Sequence, residues 1–486
     1  METTIEVKKL YKSYGHVKAV ENLNISICRG EVFGLLGANG AGKSTTIECI
    51  LGTKKQDSGT ISILGINPRK NRKKLFEKVG VQFQEANYQD KIKVDELCEV
   101  TSSLYKTSLD YGTLLNQFGL SDKLKSLVSE LSGGQKQRLF IVLALIPIPE
   151  VVFLDELTTG LDTKARRDVW RSLYELKERG ITILLTSHFM DEVEALCDKI
   201  MILKKEKIFF MGQYKKQLQP VLIKNLKMHT FGIQMRRKKM KAFRTLLRTE
   251  IKLSLRGMDM FIFAICMPVV MVIILGTVFG NKPAFDGAEY TFLEQSFGAV
   301  SSIAICAGGV MGLPLVVSDY RNRKILKRFK VTPTSPALIL AVQVIIYALY
   351  SIVSLILVYM TGAIFFGYKL YGSWPQFLGA YSLVMLSMFS IGLLVGGIAP
   401  NMKIASAAAS LLYFPMLIFS GATLPYEVMP AALQKTADIL PLTQGIKLLK
   451  ATSLGQPIDS VFIPVIIMIV IAVICITISL RYFKWE

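Results

Sequence analysis

The stretch Gly37-Ala38-Asn39-Gly40-Ala41-Gly42-Lys43-Ser44-Thr45 decides the fold. It follows a short apolar run, Val32-Phe33-Gly34-Leu35-Leu36, that reads as a buried strand, and a helical pattern can begin at Lys43 and run to about Leu51. A glycine, four residues, then Gly-Lys-Ser is the spacing of a P-loop. Its glycines let backbone N–H groups turn toward a β-phosphate, its lysine reaches the β- and γ-phosphates, and its Ser44 hydroxyl ligates Mg²⁺. The positive end of the helix dipole adds to the same site. The expectation is ATP with Mg²⁺, held by Gly37 through Thr45. A plain glycine-rich turn is the competing reading, and the remaining motifs must decide between them.

From Ile5 to Phe210 short apolar strands alternate with helical patterns, as in an α/β domain. Tyr14, just before the P-loop strand, can stack on an adenine ring; a packing tyrosine is the alternative. Gly80-Val81-Gln82-Phe83-Gln84 ends a strand with a polar side chain, and Gln84 can reach Mg²⁺ and an attacking water. Residues 91–130 carry a mixed helical pattern that suggests a helical subdomain. Leu131-Ser132-Gly133-Gly134-Gln135 then opens a helix expected over Lys136 to about Leu145, with free N–H groups suited to an anion.

Here the chain resembles the signature sequence of ATP-binding-cassette (ABC) ATPases. Val151-Val152-Phe153-Leu154-Asp155-Glu156, a continuous apolar run ending in two carboxylates, matches that family's Walker B strand. The resemblance implies Asp155 in the Mg²⁺ shell and Glu156 as general base on the hydrolytic water. Thr158-Thr159-Gly160-Leu161-Asp162 resembles the D-loop, with Leu157 in place of the usual proline. His188, after the apolar run Ile181–Ser187, stands where the family has a histidine that bonds the γ-phosphate. The resemblance covers residues 3–215. It implies two domains packed head to tail, with Ser132, Gly133, Gly134 and Gln135 serving a partner's ATP. One such domain in the chain implies a homodimer or a closely similar partner.

Half of the 486 residues are hydrophobic, so part of the chain is expected in lipid. Its net charge of +21 is concentrated. Lys204 to Arg256 holds sixteen Lys/Arg against two acids, and Ser318 to Lys330 six against one, each beside an apolar run. That placement fits cytoplasmic membrane flanks rather than nucleic acid. The seven cysteines form no Cys-x-x-Cys pair, and the start lacks a signal-peptide core, so the first half is expected in the cytosol.

Residues 219–239 read as a basic linker and 240–257 as an interfacial elbow helix, with basic and apolar residues recurring every three or four positions. Six uncharged stretches long enough to cross a bilayer follow, at about 260–280, 296–317, 337–366, 376–399, 404–424 and 461–480. Basic flanks put both termini inside, and the loop 319–335 is the candidate segment contacting the ATPase near Gln84. Ser420-Gly421, then Met429-Pro430, then Leu440-Pro441 resemble the membrane half of type-2 ABC exporters, in which short re-entrant outer helices precede the last span.

The expected architecture is therefore an α/β P-loop ABC ATPase domain with a helical subdomain (1–218), followed by an all-α six-helix transmembrane domain (258–486). The expected function is ATP-driven export of an amphipathic or apolar small-molecule or lipid-like substrate across the cell membrane, with no nucleic-acid partner. The alternative is an ATP-driven mechanotransmitter that carries no cargo.

Overall fold

The computed structural model describes residues 2–83, 88–156, 161, 163–204, 207–213, 242–280, 282–285, 287–423, 426, 429–457 and 461–483. The chain divides into two compact units. One is Met1–Thr249 together with Lys324–Pro336, and the other is Glu250–Arg323 together with Ala337–Glu486.

Among the described residues, the first unit has nine strands: β1 (Thr3–Tyr14), β2 (Val17–Cys28), β3 (Val32–Gly37), β4 (Ser58–Ile63), β5 (Val79–Gln82), β6 (Val151–Asp155), β7 (Thr182–Ser187), β8 (Lys199–Lys204) and β9 (Lys207–Gln213). An antiparallel sheet has the order β2-β1-β4, and a second sheet has the order β5-β6-β7-β3-β8-β9. In the second sheet β5 through β8 run parallel, and β9 returns antiparallel. The continuous apolar runs follow from that arrangement, because parallel strands covered on both faces have no solvent side. Every residue of β6 and β7 is buried. Register then places the chemistry: Leu36 pairs with Ser187 and Asp155 with Thr186, so the motif residues leave the sheet at one carboxyl edge.

The P-loop helix spans Lys43–Ile50. Its entry requires glycine: Gly42 has φ +92, and a Cβ there would strike the Ala19 carbonyl. The helical subdomain includes the helices Val94–Ser103 and Tyr111–Gln117, and the signature helix spans Gly133–Leu145, starting three residues before the expected Lys136. The reason is the Ser132 side chain, which caps the first turn and lets both glycines join the helix.

The segment Lys324–Pro336, although it lies between membrane-length helices in sequence, packs as part of the first unit. A short helix, Ile325–Lys330, buries Ile325, Leu326 and Phe329, and Val331 joins the apolar core that includes Phe83 and Val151. The Arg72 guanidinium closes its carboxyl end. Nη1 donates to the carbonyls of Phe329 (3.3 Å), Lys330 (2.6 Å) and Thr332 (2.5 Å), and Nη2 to that of Thr334 (2.7 Å). The carbonyls of Phe329 and Lys330 belong to the last turn of that helix, where intrahelical donors run out, and those of Thr332 and Thr334 to the chain just beyond it. The Lys327 ammonium lies 4.7 Å from the Phe83 ring and the Arg328 guanidinium 4.4 Å from the Tyr88 ring. Phe83 immediately precedes Gln84, which itself lies outside the described residues.

The second unit is helical. Among the described residues, six helices are long and apolar enough to cross a membrane: Ile262–Phe279, Phe292–Asn322, Ala337–Phe366, Trp374–Ile398, Met402–Phe419 and Phe462–Tyr482. Two differ from the uncharged stretches expected. The second is longer than 296–317 because Glu294 completes a capping box with Thr291 at its start, and its last turns continue through Asp319 and Arg321. Arg321 is accommodated there by donating to the Gly397 carbonyl at 3.0 Å and to that of Ala399. The fifth ends at Phe419 rather than 424, with Ser420 as its cap and Gly421 at φ +96. Two short helices, Ala431–Ala437 and Pro441–Ser453, precede the last span, in the order expected. Large apolar side chains face outward, among them Leu411, Ile463 and Leu480. A bilayer covers such faces; water would not tolerate them at this density. Within this unit the Glu250 carboxylate accepts hydrogen bonds from the Tyr320 hydroxyl (2.5 Å) and the Gln343 amide (2.8 Å), which ties the elbow helix, Ala242–Gly257, to two spans.

Candidate functional site

At the carboxyl edge of the parallel sheet the structure gathers Lys43, Asp155, Glu156 and His188. The Lys43 side chain is almost fully buried, and its ammonium donates to the carbonyls of Gly37 (2.6 Å) and Ala38 (3.2 Å). It stands 3.6 Å from Glu156 Oε1. Ala38, Asn39 and Gly40 are exposed, so the loop around this buried cation is open to solvent. Ser44 and Thr45 follow in the first turn of the P-loop helix.

Asp155 and Glu156 are both buried. Burial pushes the Asp155 carboxyl up, a hydrogen bond from Thr186 counters it, and the neighbouring Glu156 charge raises it again. That hydrogen bond runs from Thr186 Oγ1 to Asp155 Oδ1 at 2.5 Å. The same hydroxyl accepts from the Glu156 backbone N–H at 2.9 Å. Thr186 therefore fixes both acids at once. Glu156 has φ +49, a left-handed conformation costly for a side-chain-bearing residue and held by its surroundings. His188 Nδ1 lies 3.8 Å from Glu156 Oε2, and its ring packs tilted against Phe189 with centroids 4.1 Å apart. Phe189 in turn lies 4.5 Å from the Arg166 guanidinium, which pairs with Asp191 at 3.2 Å.

A buried ammonium beside a phosphate-shaped loop, a buried carboxylate with one oxygen oriented by a hydroxyl, and a second carboxylate within reach of an imidazole suit a metal-bound triphosphate and a water. Mg²⁺ keeps several waters and takes one or two protein oxygens besides the phosphates, so the Ser44 hydroxyl and Asp155 suffice as its protein donors. The ion would supply charge neutralisation on the phosphates.

Tyr14 is half exposed, with Lys12 Nζ 5.2 Å and Lys54 Nζ 5.4 Å from its ring centroid, and it is accessible to a flat ring. Ser132 and Gln135 bond to each other, Gln135 N–H to Ser132 Oγ at 3.3 Å and Ser132 N–H to Gln135 Oε1 at 3.0 Å, and do not join the Lys43–Glu156 group. Gly133 and Gly134 lie in the first turn beside them. Gln84 and Asp162 fall outside the described residues. The sequence reasoning missed Thr186. It is one of three hydroxyl residues in β7, with Thr182 and Ser187, and nothing distinguishes it from them until β7 is known to flank β6 with Thr186 opposite Asp155.

Two family models match the chain: ABC transporter over residues 20–159 and ABC-2 type transporter over residues 241–454. A Nod factor export ATP-binding protein I from Rhizobium etli is 40% identical over 207 residues, covering 42% of this chain and 66% of that protein. A bacitracin transport ATP-binding protein from Bacillus licheniformis is 38% identical over 213 residues, covering 43% of this chain and 69% of that protein. The chain thus spans about two thirds of the length of these two relatives, and the likeness lies in the cassette. A solved ATP-binding subunit of an ABC transporter is 29% identical with a TM-score of 0.41, covering 43% of this chain and 90% of that one. With a P-loop, its paired acids and six membrane-length helices in one polypeptide, the chain belongs to the ABC transporter family of ATP-hydrolysing transporters.

Proposed function

We propose that this chain is one half of a dimeric exporter that moves an amphipathic or apolar small molecule or lipid out of the cytoplasm across the cell membrane. Its two subunits are identical or closely similar. Each P-loop, with Lys43, Ser44 and Thr45, holds Mg·ATP, and Tyr14 stacks on the base. Ser44 and Asp155 would hold Mg²⁺, with Gln84 as a further candidate donor, and Glu156 accepts the proton of the attacking water while His188 hydrogen-bonds the γ-phosphate. Ser132 through Gln135 of one subunit close on the nucleotide held by the other. Closure reshapes the membrane halves, and both termini stay cytosolic.

The observation that carries this reading is the Lys43–Asp155–Glu156–His188 cluster in the same chain as six uncharged apolar cores. Spans that relay protons or ions usually place acids at mid-membrane, so ATP is the driving force these spans suit. The names of the relatives carry two different cargoes, a Nod factor and bacitracin, so the likeness of the cassette does not select one. The test is ATP-dependent accumulation of a labelled amphipathic compound in inside-out proteoliposomes. Accumulation that Glu156→Gln leaves intact would sink the proposal.

A further inference from the structure

The P-loop helix carries Lys43 at its first position and one acid, Glu48, five residues on, about 7.5 Å along the axis at 1.5 Å per residue. Glu48 is nearly buried, and its two oxygens have different owners. Oε2 takes the Lys54 ammonium at 2.6 Å, and Oε1 takes the Lys327 ammonium from the segment Lys324–Pro336. The Lys54 ammonium also lies over the Tyr14 ring, 5.4 Å from its centroid. Lys327 rests on Phe83 at the end of β5. One carboxylate therefore touches a cation over the exposed aromatic ring and a cation on the segment that leads into the membrane-length helices.

We propose that Glu48 is a positioning residue that transmits nucleotide occupancy to the segment Lys324–Pro336 through Lys327. Two displacements reach it. Phosphate binding at Lys43 moves the helix on which Glu48 rides, and a base stacked on Tyr14 crowds Lys54 toward the carboxylate, where it competes with Lys327.

The inference rests on the ATP-binding reading above, and its test separates the two. The full chain in lipid nanodiscs, in a Glu156→Gln background that retains ATP, is subjected to amide hydrogen exchange with and without Mg·ATP, following peptides that cover 324–336. The parent should show an ATP-dependent change in exchange there. At equal ATP occupancy, Lys327→Gln and Glu48→Gln should each weaken that coupling by at least about fivefold, the low end of typical site-to-site coupling. The double variant should lose no more than either single one, and Lys327→Arg, which keeps the charge, should retain the response. A full response in Lys327→Gln, or a loss in Lys327→Arg as large as in Lys327→Gln, overturns the link. Failure of the parent to bind ATP overturns the functional reading itself. Lys327 lies outside the apolar core, so its two variants keep the test decisive if Glu48→Gln does not fold.

Discussion

Replacing Thr186 by valine tests the site at one atom, because the methyl group that takes the place of the hydroxyl can neither donate nor accept. The lost bond to Asp155 is short, buried and made to a carboxylate, at 2.5 Å. Hydrogen bonds to charged groups contribute about 1.5–3 kcal/mol net. The second lost bond matters less, because the Glu156 N–H keeps the Thr186 carbonyl oxygen at 3.3 Å. Taken at the Mg²⁺ site, the sum corresponds to roughly a 10- to 100-fold loss in activity or metal affinity, the usual cost of removing a residue that orients a metal ligand. The direction with pH follows as well. Burial already raises the Asp155 carboxyl, and without the Thr186 hydrogen bond it rises further. The metal must then displace a more tightly held proton, so the acid limb of the activity profile moves to higher pH. The assay is ATP hydrolysis by purified protein, titrated with Mg²⁺ at several pH values, with Thr186→Ser as the variant that keeps the hydroxyl. Wild-type turnover and Mg²⁺ half-saturation in Thr186→Val would refute the argument.

Arg72→Ala removes the guanidinium that donates to the carbonyls of Phe329, Lys330, Thr332 and Thr334, and should destabilise the first unit by about 2–3 kcal/mol, with faster proteolysis at 324–336 as the readout. Protease cleavage no faster than in the parent would count against the clamp. Gly134→Asp places a carboxylate at the mouth of the signature helix. It should cut ATP turnover by more than about tenfold, through charge repulsion with phosphate, while ATP binding measured by equilibrium dialysis stays near wild type, because in the proposed dimer the nucleotide it serves is held by the other subunit's P-loop. Burial works to raise the Glu48 carboxyl, but the Lys327 and Lys54 ammoniums outweigh it and hold it below its ordinary value. A depressed carboxyl contributes stability that is present above its unfolded value and is lost as pH falls through the folded one. Lys327→Gln should therefore begin to lose thermal stability at a higher pH than wild type in an acid series of melting curves, and coincident curves would contradict the pairing.

Local spacing made the site half legible in the sequence. The P-loop, the paired acids and His188 announce themselves because each is a short word beside an apolar strand, and the parallel register then brings them together. What stayed hidden depends on partners far away in sequence. Arg72 sits in a run of six residues, Arg69 to Lys74, five of them basic, and nothing local distinguishes it from its solvated neighbours. Glu48 reads as an ordinary helix acid until Lys327, 279 residues away, is beside it. The spans were legible as apolar stretches, but their ends were not. Glu294 and Arg321 are charged residues that capping and backbone carbonyls make acceptable inside a helix, and a rule that stops at the first charge cuts the second span short.

Val331 has a consequence for how the chain is made. It lies in an apolar core whose other buried members all precede residue 204, yet it emerges from the ribosome only after residues 250–323. The cassette is thus a discontinuous domain, and its last piece arrives only once the first two hydrophobic helices have been synthesised and delivered to the bilayer. A nascent cassette must wait with an unfilled place in its core, so correct membrane insertion becomes a checkpoint on maturation of the soluble half.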